Sequence, residues 1–162
     1  IPAGATSNFV NIDAPTVGAS VTTTIGAQYN STRRTAVLTV TAPALEPSFT
    51  VISSSEGSDK CRLTDNDGNV DCEVNATARG FIQRYLFSYQ VEGQTQSDST
   101  PEPVRVPDIT CSLFDGVSNR DTKTSVSMVI ELVLEGRDGT RSSTLRKNVT
   151  LVGNGKCGFA SS

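Results

Sequence analysis

Asp65, Asp67, Asn69 and Asp71 alternate through the segment DNDGNVD, around Gly68. Carboxylate and amide oxygens at alternate positions about a glycine are the ligand type and spacing that some Ca²⁺ loops use. The spacing is not that of a full EF-hand loop, and no Glu closes it. A type I′ hairpin turn centred on Asp67–Gly68 explains the same residues without a metal. The turn is the favoured reading, so no metal or cofactor is expected, and the loop stands as the one candidate calcium site.

The rest of the chain is poor in reactive groups. It contains no His, which excludes Ser-His, Cys-His and His-metal arrangements. No GxSxG elbow or phosphate-cradling glycine loop is present. Carboxylate pairs such as Asp65/Asp67 and Glu131/Glu135 exist, but nothing marks a cleft that would raise one of them for acid catalysis. The expectation is a protein that is not an enzyme and has no catalytic residue. A net charge of −3, with the longest basic run only Arg33–Arg34, argues against phosphate neutralisation and hence against nucleic acid as a partner. No apolar run approaches a membrane span.

Four cysteines remain: Cys61, Cys72, Cys111 and Cys157. An even count in a chain about a quarter Ser and Thr points to two disulfides and an oxidising compartment, hence to a secreted protein or one on the extracellular cell surface. Asn30, Asn75 and Asn148 each open an N-x-S/T sequon and are candidate glycosylation sites.

The elements that must position these residues read as all-β. No apolar period of 3.6 persists over any helical window, whereas period-2 alternation recurs. Strands are predicted over 8–13, 19–30 and 31–43, the last two joined as a hairpin through YNST with Asn30 at positive φ. The segment APALEPS, with its two prolines, reads as a linker. Six further strands are predicted over 48–54, 69–78, 81–93, 102–114, 124–136 and 144–153. Met128, Ile130, Leu132 and Leu134 should line one inner face, Leu145, Val149 and Leu151 another, and Tyr85, Phe87 and Tyr89 a third. Ile82 falls out of phase with the aromatics, which predicts a bulge near Gln83–Arg84. The domains expected are 1–43, a linker at 44–47, and a sandwich at 48–162.

Two stretches carry a family likeness. Residues 1–43, from IPAGATSNFVNID through ASVTTTIGAQYN to STRRTAVLTVTAP, resemble the closing half of a bacterial Ig-like domain. VDCEVNATARGFIQRYLFSY and VIELVLEGRDGTRSSTLRKNVTLV resemble the PKD-like branch of Ig-like sandwiches, with Phe87 in the place of the usual core Trp. The resemblance implies an Ig-like antiparallel β-sandwich preceded by a partial Ig-like domain of three strands. Strand order in such domains favours Cys72–Cys111 with Cys61–Cys157. The other main connectivity is Cys61–Cys72 with Cys111–Cys157.

These readings lead to a non-catalytic secreted structural or adhesive module: a surface stalk, a spacer or a filament subunit. The alternatives are a carbohydrate- or calcium-dependent binding module, or an accessory domain of a larger secreted enzyme. The opening IPAGATS lacks an initiator Met and the regions of a signal peptide and reads as the middle of a β-domain. The partners expected are therefore other protein chains or neighbouring Ig-like domains, with head-to-tail strand addition as one route.

Overall fold

The computed structural model describes residues 11–13 and 17–161. It divides into two compact units, 1–42 and 43–162. The described part of the first is a hairpin of β1 (Val21–Tyr29) and β2 (Thr32–Val40), joined by a two-residue loop in which Asn30 has φ 50. Val21 pairs with Val40 and Ile25 with Ala36, so the apolar residues share one face, as their alternation predicts. The strand expected at 8–13 lies largely outside the described residues, and 11–13 are not strand.

The second unit is a two-sheet β-sandwich with no α-helix among its described residues. In chain order it comprises β3 (Phe49–Ser53), β4 (Gly57–Ser58), β5 (Lys60–Leu63), β6 (Val70–Asp71), β7 (Glu73–Ala76), β8 (Ile82–Val91), β9 (Gln94–Thr100), β10 (Val104–Arg105), β11 (Ser125–Gly136) and β12 (Leu145–Val152). One sheet has the order β10-β7-β3-β4 and the other β6-β5-β12-β11-β8-β9. All neighbours are antiparallel except β5 and β12, which run parallel with Leu151 beside Cys61.

The core lies between the sheets and follows the period-2 forecast. Met128, Ile130, Leu132 and Leu134 are fully buried on β11, facing Phe49 and Val51 of the smaller sheet within one apolar cluster. Phe87 and Tyr89 of β8 are buried with them, and Leu132 pairs across to Phe87. Val149 and Leu151 are buried on β12, and Leu145 is half-buried at its end. The bulge falls as predicted: Glu135 pairs with Arg84 and Gly136 with Ile82, leaving Gln83 as the extra residue.

Four expectations change. Residues 102–114 are not one strand; only Val104–Arg105 pair, and Cys111–Phe114 form a 3-10 turn. Pro103 and Pro107 bracket the short strand, and neither has an N–H to extend a ladder. The strand expected at 69–78 is two strands in different sheets, because the chain crosses the sandwich at Cys72. Gln94–Thr100, which has no apolar alternation, is a seven-residue strand set by a turn at Glu92–Gly93, both at positive φ as type I′ requires. Residues 44–47 do not swing free of the second unit: Leu45 packs against its core and Glu46 bridges Arg79.

Candidate functional site

The disulfides are Cys61–Cys72 and Cys111–Cys157, with no free cysteine. This corrects the pairing that the family order favours. β5 and β6 form a hairpin with Arg62 opposite Asp71, so one step further along the register Cys61 meets Cys72. The parallel β5–β12 pair does exist, but Cys157 lies six residues beyond Leu151 and the chain has turned by then. Asn154, Gly155, Cys157 and Gly158 all have positive φ, and this coil carries Cys157 across to Cys111. Phe159 is thereby buried edge-on against Phe114, with ring centroids 5.4 Å apart.

The candidate calcium loop closes between the bridges. Thr64 and Asn69 join through the Thr64 amide and the Asn69 carbonyl at 2.9 Å, so the loop is Asp65–Gly68 and not a two-residue turn. Only Gly68 of the pair Asp67–Gly68 has positive φ, which rules out type I′ there. A Cβ on Gly68 would stand 2.6 Å from the Ile109 carbonyl, so the loop rests directly on the strap that leads to Cys111. Asn66 reaches the other bridge, its Oδ1 accepting from the Cys157 amide at 3.1 Å.

The four proposed ligands are not brought to one centre. Asp65 Oδ1 accepts from the amides of Asp67, Gly68 and Asn69 at 3.0–3.2 Å, and Oδ2 accepts from Asn69 Nδ2 at 2.6 Å. The Asn69 bond is the main cause that holds the Asp65 carboxyl below its ordinary value. Asp71 turns instead to the β3–β4 loop and accepts from the hydroxyls of Ser53, Ser54 and Ser55, the last at 2.6 Å. Its carboxyl is lowered too, chiefly by Ser55. No group of three or more metal-capable side chains gathers among the described residues. Bonds to protein donors already organise the loop, so the melting temperature should not respond to millimolar calcium. The double variant Asp65→Ala/Asp67→Ala should melt lower and be equally indifferent. A rise with calcium in the wild type, lost in the double variant, would reverse that assignment.

The aromatic side chains that could have formed a sugar platform do not. Tyr85 and Tyr89 face the core at 8 % and 0 % exposure, and burial pushes both phenols up. Tyr29 is exposed on the hairpin. A shallow concavity lies on the outer face of the larger sheet. Leu86 and Val133 make its floor, Ser97 and Ser99 one wall, and Glu131 and Arg141 its charged rim. Those charges are already paired, Glu131 with Arg146 at 2.6 Å and Arg141 with Glu135 at 3.2 Å. Such a surface offers shape, hydroxyls and neutralised charge, which suits contact better than bond-breaking. The wall formed by Ser97 and Ser99 escapes sequence reading; the only cue is the Glu92–Gly93 turn.

Asn30, Asn75 and Asn148 are all exposed, in the hairpin loop, on β7 and on β12 respectively. Two disulfides, with no helix of the described residues long and apolar enough to cross a membrane, are compatible with an extracellular protein. No protein-family model, curated protein or solved structure matches the chain.

Proposed function

We propose that the chain is a non-catalytic structural or adhesive module of a secreted or cell-surface protein, a spacer or stalk built from Ig-like sandwiches in tandem. The observation that carries this reading is the pair of disulfides, which clip one end of the sandwich together. One closes the β5–β6 hairpin and the other fastens the C-terminal coil to the 3-10 turn at Cys111. A sandwich stapled in this way suits a load-bearing extracellular element, and the parallel β5–β12 pair suits it as well. Buried tyrosines and internally bonded carboxylates give sugar or calcium binding no comparable support.

Mechanical extension from the two ends tests the reading. Bridges with sequence separations of 11 and 46 hold back about half of residues 43–162. The oxidised second unit should therefore unfold with a resolved force peak and release roughly half the contour length it releases after reduction. A unit that extends without a force peak, or a chain that turns over a glycan or peptide substrate, would overturn the proposal.

A further inference from the structure

The two sheets of the second unit present four edges. Three of them, β4, β6 and β10, are only two residues long. Short edges are one of the ways a sheet protein avoids pairing with its neighbours. The fourth edge, β9, is seven residues long, and of the usual protections it has only one inward-pointing charge, Asp98. It contains no Pro, Lys or Arg and no bulge, and its single charge, Asp98, is neutralised by Arg105.

The turn sets which backbone groups face outward. Val91 and Gln94 flank the two-residue loop and share the turn bond, so alternation gives Tyr89–Gln96, Phe87–Asp98 and Tyr85–Thr100 the remaining ladder bonds. The amides and carbonyls of Thr95, Ser97 and Ser99 then point away from β8. No turn or loop bond among the described residues reaches them. The segment after β10 meets the inner side of the strand, where Gln96 bonds Thr110, while Thr95, Ser97 and Ser99 are exposed.

We propose that the outer edge of β9 is a self-association surface. A second copy of the chain pairs with it antiparallel, about a two-fold axis through Ser97, and joins the two larger sheets into one. Only this register uses all three outward residues: Ser97 meets its counterpart and Thr95 meets Ser99. Hydroxyl side chains then oppose hydroxyl side chains, a favourable cross-strand pairing. Gln96 opposes Asp98, so no like charges meet along the ladder. Moving the axis to residue 98 would set Asp98 against Asp98, and moving it to 96 would lose a rung. At each end Glu102 of one copy falls beside Glu92 of the other, which has Lys123 at 3.3 Å as counter-charge. The surface does not depend on the stalk or adhesive reading.

An edge contact of this size makes a weak dimer, read by sedimentation of the full chain from roughly 10 µM to 1 mM. The wild type should pass from monomer to dimer over that range. Ser97→Lys and Ser97→Glu, each placing like charges at the axis, should stay monomeric, and an equimolar mixture of the two should recover a dimer. Ser97→Pro, which deletes an outward N–H and leaves the β8–β9 ladder bonds, should also stay monomeric. A wild type that is monomeric throughout overturns the proposal. Association that survives Ser97→Lys overturns it as well and moves the contact to another edge, the β1–β2 hairpin among them. A mixture that stays monomeric overturns the register.

Discussion

Phe87→Ala destabilises the second unit by about 3–5 kcal/mol, the cost of emptying a fully packed aromatic site. Phe87 is 1 % exposed, pairs with Leu132 across β8 and β11, and lies in the cluster that both sheets share. The surrounding side chains come from rigid strands and have little freedom to close the gap, which places the loss at the upper end of the range. Thr150→Ala, exposed on β12, is the control and should stay within about 0.5 kcal/mol of wild type. Chemical denaturation read by two probes gives both values. A smaller shift for Phe87→Ala than for Thr150→Ala would mean that the inner face of β8 is misassigned.

Removing Cys111–Cys157 as a pair, by Cys111→Ala with Cys157→Ala, costs about 4 kcal/mol in the chain-entropy model, because the bridge spans 46 residues. Removing Cys61–Cys72, which spans 11, costs about 3 kcal/mol. The larger loss also frees the coil that holds Phe159 against Phe114, so the two effects compound. Set against a typical domain stability of about 5–15 kcal/mol, either loss is a sizeable share of the total. Thermal unfolding of both double variants tests the ranking. Non-reducing peptide mapping tests the pairing, and a linked peptide joining Cys61 to Cys157 would refute it.

What was legible in the sequence follows from where a local pattern had a single physical cause. β11 alternates four large apolar residues with polar or smaller ones, and only a strand with one buried face puts Met128, Ile130, Leu132 and Leu134 together. The phase slip at Ile82 was equally direct, since one unpaired residue, Gln83, restores the register. β9 was opaque because both of its faces are polar: Ser97 and Ser99 look outward, while Gln96 and Asp98 meet the strap of residues 105–112. The cysteine pairing is not legible in the sequence, because the segment around Cys72 looks like one strand and is a crossing between sheets. The burial of Phe159 depends on a coil of left-handed residues, which no periodicity announces. The type I′ turn expected at Asp67–Gly68 fails for a related reason, since the loop closes at Thr64 and Asn69 and only Gly68 of the pair has positive φ. The alternating oxygens of the segment are real, but backbone amides and serine hydroxyls had already claimed Asp65 and Asp71.

The bridges join the cysteines in the order in which they occur, first to second and third to fourth. A chain emerging N-terminus first therefore exposes Cys61 and Cys72 together, 11 residues apart, before Cys111 or Cys157 has appeared. The short loop closes at low entropic cost and retires both thiols. Cys157 emerges with the last strand and its coil, and of these four cysteines only Cys111 is then still unpaired. For a chain that emerges into an oxidising compartment these four cysteines would thus meet no wrong choice, whereas refolding the reduced sequence from denaturant offers them three pairings at once. The order of emergence would then do the proofreading that the folded molecule no longer displays.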